Sequence, residues 1–324
     1  MAISRKLYDN CKLCPKKCGV NRLKGAAGFC GSGADAALSC ALLHRGEEPP
    51  VTGERGSGTM FFTGCTLRCG FCQNHQISRG MIGRSVDEEV LSDIMISLQE
   101  KGAENINFVT ATHFIPSVYE AAEKAKKKGL SIPLLWNTSG YETEEAVEML
   151  LEFIDVFLPD LKTLDPALSA RLFRAQDYPA YAERAVIKMA DGRKTDFSLI
   201  EKEGVIKRGV IVRHLVLPGE LESTDGFLKW FSENLKERAI LSLMFQYEPE
   251  AVSGIADLPE RRVSGKEEDE VYGMLDKYDI DDGFIQETEG DCIWVPDFNS
   301  SSPFPGSSSG KEMVWHWKEG FEKN

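Results

Sequence analysis

From Ser57 onward, short apolar runs alternate with longer stretches in which apolar positions recur every three or four residues. The runs predict strands at Thr59–Thr63, Ile106–Ala111, Ile132–Trp136, Val156–Leu158, Val210–Leu217 and Ile240–Phe245. The amphipathic stretches predict helices at Val86–Lys101, Pro116–Lys128, Thr143–Phe153, Pro166–Arg174, Tyr178–Met189 and Gly226–Lys236. Strands alternating with helices of this length make βα units, so six such units and a parallel sheet of the α/β class are expected. Ser85 is expected to cap the first helix, with Asp87 and Glu88 in its opening turn, and Pro116 and Pro166 suit first-turn positions. Lys126, Lys127 and Lys128 before Gly129 read as a basic last turn with a glycine stop.

The flanks differ from this rhythm. Residues 1–55 are rich in Cys and Gly with little apolar periodicity and are expected to fold around a metal; residues 56–248 carry the βα units, and residues 249–324 form a C-terminal extension. In the extension, Glu267–Glu270 reads as a helix surface, Asn299–Gly310 as a flexible connection, and Trp315, Trp317 and Phe321 as a tail docked on the chain's own core.

Composition narrows the function. Lys+Arg 38 against Asp+Glu 51 give a net charge of −13 over 324 residues, which argues against nucleic-acid binding. No apolar stretch suits a secretory signal or a bilayer span, so no membrane role is expected and the location is expected to be cytoplasmic. Nine cysteines in a reducing compartment point to metal rather than disulfides. Cys40 and Cys292 are read as small apolar residues, Cys292 beside Trp294 near the site's mouth.

The sharpest motif is Cys65-x3-Cys69-x2-Cys72, set directly after the first strand of the βα pattern. Three closely spaced thiolates hold three irons of a [4Fe–4S] cluster, and the missing fourth cysteine leaves one iron open for chemistry. Gly64 and Gly70 let the backbone fold tightly around it. A zinc site completed by His75 is the competing reading. Cys11-x2-Cys14-x3-Cys18 with Cys30 supplies four ligands for a closed site, either tetrahedral zinc or an auxiliary [4Fe–4S] cluster.

The segment Phe61–Ser78 around the three cysteines resembles the signature of radical S-adenosylmethionine (SAM) enzymes, in the branch similar to pyruvate formate-lyase activating enzyme. Phe108–His113, Leu135–Glu142, Phe157–Lys162, Val212–Gly219 and Met244–Tyr247 extend the resemblance across most of residues 8–275. It implies a partial (β/α)6 TIM-like barrel in which the open iron binds SAM. Reductive cleavage there would release methionine and a 5′-deoxyadenosyl radical that abstracts hydrogen from substrate.

The strand ends then become candidate cofactor-binding positions. Thr112 and His113 follow strand 2, where related activases carry a Gly-Gly-Glu motif that contacts the methionyl amine, and this chain departs from it. Asn137 and Ser139 follow strand 3, and Asp160 and Lys162, two apart and so on one side, follow strand 4. Arg213 lies inside an apolar run, where a charge needs a partner, and is expected to reach the SAM carboxylate or the substrate; alternation turns His214 to the opposite face. Tyr247 is a candidate for ordering substrate near the radical. Arg213 and Tyr247 are the two candidate catalytic residues.

The first functional reading is hydrogen abstraction from a protein or peptide, in the style of glycyl-radical activation, with a low-potential donor such as flavodoxin or ferredoxin as electron source. A small-molecule substrate is the alternative, favoured by a closed pocket capped by the C-terminal tail. A non-catalytic iron–sulfur carrier or redox sensor belongs to a different class and predicts no SAM cleavage.

Overall fold

The computed structural model describes residues 3–251, 259–287, 295–304 and 312–322. In chain order, β1 (Ala36–His44), the one-turn helix α1 (Pro49–Thr52) and β2 (Ser57–Phe62) lead into α2 (His75–Ser78) and the short β3 (Arg84–Val86). Then come α3 (Glu88–Glu100), β4 (Ile106–Val109), α4 (Ile115–Lys127), β5 (Leu134–Thr138), α5 (Glu144–Leu150) and β6 (Val156–Pro159). Three helices, α6 (Pro166–Phe173), α7 (Tyr178–Gly192) and α8 (Phe197–Glu203), precede β7 (Gly209–Leu215). The described chain ends with α9 (Leu221–Asn234), β8 (Ile240–Met244), α10 (Gly265–Lys277), β9 (Gly283–Gln286), β10 (Met313–His316) and β11 (Gly320–Phe321).

One sheet runs β11-β10-β1-β2-β4-β5-β6-β7-β8-β9, with β3 paired to β1. From β2 to β9 every neighbouring pair is parallel, whereas β1, β3, β10 and β11 pair antiparallel. The six expected strands are all present in one parallel array, and β9 adds a seventh parallel strand in the extension. This is a mixed α/β fold built on a parallel sheet, with an N-terminal Cys-rich region and an extension.

Alternation along the strands separates two layers. Leu135, Val156, Leu158, Ile211 and Ile240 form an apolar cluster with Val51 of α1, which closes the amino-terminal end of the strands. Further along the same faces stand Asn137, Asp160 and Arg213, so each strand's own pattern sets polar groups above an apolar floor. The helices bury their apolar stripes on the other side of the sheet in the main core, where Trp136, Phe108, Phe157 and Tyr178 are fully buried.

Local chemistry explains the helix starts. Asp87, not Ser85, caps α3: its Oδ1 accepts from Glu89 N–H at 3.1 Å and Val90 N–H at 2.9 Å. Val86 and Ser85 pair instead with Ala36 and Ala37 of β1, an edge pairing three residues long that the helical pattern overrode in the sequence. Thr143 and Asp165 cap α5 and α6, and Pro166 occupies the first turn. The acidic run Glu267–Glu270 lies on α10, whose start is a Ser264–Glu267 capping box.

The sheet also runs across the 55/56 division, because β1 is a buried strand paired with β2 along most of its length. Likewise the extension adds β9, β10 and β11, and Trp315 of β10 is buried against β1. Cys292, Trp294 and residues 305–310 of the proposed connection lie outside the described residues. No helix among the described residues is long and apolar enough to cross a membrane.

Candidate functional site

The carboxyl ends of the parallel strands open into a cavity of about 220 Å³. Cys65, Cys69 and Cys72 line it together with Asn137, Ser139, Asp160, Lys162 and Arg213, so eight of the residues singled out in the sequence meet in one place. Thr112, His113 and Tyr247 stand outside that lining.

The cysteine loop is built tightly. Gly64 has φ +89, and a Cβ there would lie 2.6 Å from Ser32 Oγ and 2.7 Å from the Cys30 carbonyl oxygen, so only glycine fits. Arg68 adopts φ +61, which turns the loop between the first two cysteines. Leu67 and Arg68 N–H groups donate to Cys65 Sγ at 3.3 and 3.4 Å, and Ser78 Oγ donates to Cys72 Sγ at 3.3 Å. Donors aimed at sulfur stabilise thiolate ligands, and the three sulfurs lie close enough to repel one another's charge. Burial pushes the Cys65 and Cys69 thiols up, so they need a metal or the nearby Lys162 cation to hold them ionised. Among the described residues no three Cys, His, Asp or Glu side chains converge as the ligands of a single ion do. Thiolates on different irons of a four-iron cluster are spaced more widely, and the donor set fits that group.

Facing the loop is a lattice of charges centred on Arg213. Its Nε donates to Asp160 Oδ1 at 2.8 Å, Nη1 to Glu47 Oε2 at 3.0 Å, and Nη2 to Asn137 Oδ1 at 2.7 Å. Lys162 Nζ donates to Asp160 Oδ2 at 2.7 Å, and Glu47 Oε1 accepts from Asn107 at 3.0 Å and Asn137 at 3.3 Å. Burial alone would push the Asp160 carboxyl up, but Arg213 and Lys162 outweigh it and hold Asp160 below the usual range. Burial pulls Lys162 down, and Asp160 together with the Cys69 sulfur more than restores it. Neighbouring Glu48 is fully buried with both carboxyl oxygens unpartnered; burial and the Glu47 charge push it up against the pull of Arg213. With Glu48 held toward its neutral form, the cations Arg213 and Lys162 balance the anions Asp160 and Glu47. Arg213 keeps one N–H on each terminal nitrogen beyond the bonds named, so it both braces the strand ends and has donors left for a ligand.

Glu47 was not visible from the sequence. It follows β1 in the stretch assigned to the Cys-rich region, and nothing in Gly46-Glu47-Glu48-Pro49-Pro50 separates buried acids from exposed ones. His44, Gln286, Pro296 and Phe304 also line the cavity from elements beyond the six expected units. Phe304 packs 4.4 Å from the His44 ring and 5.1 Å from Phe61, and burial holds His44 down at about 4. The Phe298 N–H donates to Gln76 Oε1 of α2 at 2.8 Å, tying the extension to the cysteine loop.

The remaining candidates are braced by protein. Thr112 Oγ1 donates to Glu142 Oε1 at 2.6 Å, as does Thr138 Oγ1. His113 Nε2 meets the Thr63 carbonyl at 2.9 Å, Nδ1 is unpartnered, and burial lowers the ring to about 3. His214 lies on the face opposite Arg213, stacked at 4.2 Å on Phe227 and bonded to the Leu161 carbonyl and Thr224. The Tyr247 hydroxyl donates to the Pro259 carbonyl at 2.9 Å. Tyr178, unmarked in the sequence, does more: its hydroxyl accepts from Lys162 N–H and lies 2.9 Å from the Ser139 and Asp160 carbonyls, joining two strand ends.

The N-terminal cysteines form a second group. Cys14 lies within the electrostatic reach of Cys11 and Cys30 and is pushed up to about 12, mainly by burial. Cys18 is exposed, and its Sγ accepts from Phe29 N–H at 3.3 Å. Arg22, buried, bonds Cys11 Sγ at 3.7 Å and the His113 carbonyl, locking this module onto the end of β4.

The family model of the Radical SAM superfamily matches residues 59–231. An uncharacterized protein of Methanocaldococcus jannaschii is 29% identical over 288 residues, covering 86% of this chain and 78% of that one. Among solved structures, Streptococcus suis SuiB bound to the precursor peptide SuiA is similar at TM-score 0.49 and 14% identity, over 69% of this chain and 46% of SuiB, so the match spans about half of SuiB. The enzyme anSMEcpe with bound AdoMet and the Cp18Cys peptide is similar at TM-score 0.46 and 16% identity, over 79% of this chain and 75% of that one. A domain of a pyruvate-formate lyase-activating enzyme from Bacteroides vulgatus is similar at TM-score 0.34 and 13% identity, over 54% and 89%.

Proposed function

The chain belongs to the radical SAM superfamily, and from that membership we propose that Cys65, Cys69 and Cys72 hold its [4Fe–4S] cluster and that the cavity beside them positions SAM and a hydrogen donor. The observation that carries this reading is the convergence of the three cysteines with Asp160, Lys162 and Arg213 on one cavity at the strand ends. With cluster and SAM bound, the pair supplies one-electron cleavage of the sulfonium, yielding methionine and a 5′-deoxyadenosyl radical that abstracts hydrogen.

The chain's own residues contribute position and exclusion. Arg213, Asp160 and Lys162 form a pre-organised ionic frame whose geometry is already set before ligands arrive, so little reorganisation is needed on binding. Asn137 and Ser139 present polar groups at the end of β5 for the ligand's hydroxyls or carboxylate. Phe61, Phe71, Leu215 and Met244 provide apolar walls that keep water from a radical.

The mouth bears on substrate class. Gln246, Gln286, Pro296 and Phe304 narrow it, and Phe304 is packed into an aromatic cluster with His44, Phe61 and Phe298. Such an opening favours a small molecule or the extended end of a peptide; a folded protein loop, as glycyl-radical activation requires, would first displace the segment carrying Phe304. For the N-terminal group we favour an auxiliary [4Fe–4S] cluster over zinc, supported by its four cysteines lying in a chain of the radical SAM superfamily.

The test is anaerobic reconstitution, dithionite reduction and chromatography for 5′-deoxyadenosine, with iron and zinc counted. Wild type should form deoxyadenosine and carry about eight irons, and Cys69→Ala should form none. A fully loaded, reduced wild type that leaves SAM intact, with and without candidate substrates, would instead favour the electron-carrier class.

A further inference from the structure

The connection from β6 through α6 to α7 ties the cysteine loop to the charged lattice by a run of short contacts. Gly70 N–H, between Cys69 and Cys72, donates to the Leu172 carbonyl at 3.2 Å, and Phe71 meets Phe173 edge-on at 6.0 Å, so the loop rests on the end of α6. Phe173 in turn packs 5.1 Å from the Tyr178 ring at the start of α7. The Tyr178 hydroxyl accepts from the Lys162 N–H at 2.9 Å and lies 2.9 Å from the Ser139 and Asp160 carbonyls. One bracket therefore fixes where Lys162 stands relative to Cys69 and Cys72.

The side chain of Lys162 is held as firmly as its backbone. Its Nζ donates to Asp160 Oδ2 at 2.7 Å, only 14% of the side chain is exposed, and it lines the same cavity as the three cysteines. An ammonium has three N–H donors, and the Asp160 bond uses one. Arg213, the other cation of the cavity wall, is forked among Asp160, Glu47 and Asn137. Burial pushes the Cys69 thiol up, and Lys162 is the strongest influence opposing it; Asp160 acts on the same sulfur in the opposite sense and more weakly. The ion pair with Asp160 thus leaves a positive field at the cysteine loop. Cys65, also raised by burial, feels the same cation.

We propose that Lys162 sets the reduction potential of the cluster held by Cys65, Cys69 and Cys72, and that Tyr178 is the positioning residue that keeps the lysine in place. The proposal rests on the iron–sulfur reading of those cysteines. Reduction adds one electron and one unit of negative charge to a cluster, with no bond made or broken and no proton moved. A fixed cation beside the ligands stabilises the reduced form and raises the potential, and the buried setting keeps water from screening it. A lysine that only braced the strand ends would affect stability and leave the potential alone.

Redox titration of the cluster-loaded enzyme with dithionite, without SAM, tests the assignment when followed by electron paramagnetic resonance of the signal that Cys69→Ala removes. Lys162→Met should lower the equilibrium constant for reduction by about tenfold or more, each tenfold being 59 mV for one electron, whereas Lys162→Arg should stay within about threefold of wild type. Tyr178→Phe keeps the charge but releases its backbone anchor, and should fall between the two. Lys127→Glu, a larger change of charge on the exposed end of α4, should leave the potential where it was. This order supports the proposal. A wild-type potential in Lys162→Met, or an equal fall in Lys162→Arg, overturns it, and a wild-type potential in Tyr178→Phe overturns the positioning role. If Lys162→Met loads no cluster, a lowered Tyr178→Phe beside an unchanged Lys162→Arg supports the assignment and an unchanged Tyr178→Phe overturns it. Absence from reduced wild type of any signal that depends on Cys69 would remove the parent reading itself.

Discussion

Cys65, Cys69 and Cys72 border a cavity that also holds Lys162, Asp160 and Arg213, whereas Cys11, Cys14, Cys18 and Cys30 lie in the turns of a basic module with Cys18 exposed. The first group has three sulfurs beside a ligand-sized space. The second has four sulfurs, with the buried Arg22 bonded to Cys11. On the proposed reading the same ligand type serves two ends: three thiolates leave a metal site open to chemistry, and four close it. Surroundings, not the cysteines themselves, tell the two apart.

The largest break in this contrast comes from single cysteines. Cys69→Ala should reduce deoxyadenosine formation to background, and Cys14→Ala should lower metal content while dithionite-driven cleavage persists; paired metal analysis and product chromatography read both. Next in size is the ionic frame. Arg213→Met leaves Glu47 buried without its cation and Asp160 with Lys162 alone, and should destabilise the fold by about 3–5 kcal/mol in denaturant unfolding, and Arg213→Lys should recover part of that while losing the forked geometry.

Glu142 sharpens the contrast through pH. Its Oε1 accepts from Thr112 and Thr138, its Oε2 is unpartnered, and burial raises it to about 7. A carboxyl with a raised folded value binds more protons in the native state, so its contribution to stability falls as pH rises between about 4.5 and 7. Glu142→Gln should flatten that decline, gaining on the order of 3 kcal/mol relative to wild type at pH 8, as measured by urea unfolding across pH. The smallest expected effect is at Gly64, where alanine meets Ser32 and Cys30 and must hold a positive φ. Gly64→Ala should cost about 1–3 kcal/mol and lower the iron retained after reconstitution.

Much of this was legible along the chain. The six parallel strands announced themselves because buried strands read as continuous apolar runs, and Asp160 and Lys162 share a side because strand alternation requires it. Arg213 betrayed itself as a charge inside an apolar run. Three things were hidden. β1 is a buried strand of nine residues, yet it sits among cysteines and glycines that mask its pattern. Glu47 becomes a partner of Arg213 only once α1 closes the strands' amino-terminal end, a contact between residues 166 positions apart. Tyr247 carried the right chemistry at a strand end, but its hydroxyl is taken by the Pro259 carbonyl, a choice made by the fold after β8 rather than by local sequence.

SAM is expected to reach only the three-cysteine site. Electron paramagnetic resonance of dithionite-reduced protein, titrated with SAM, tests it most directly in Cys14→Ala and Cys69→Ala side by side. A cluster signal that changes on SAM addition is expected in Cys14→Ala, and no SAM-responsive signal in Cys69→Ala. A SAM-responsive signal that survives in Cys69→Ala and disappears in Cys14→Ala would contradict it, and would move the reactive centre to the N-terminal module.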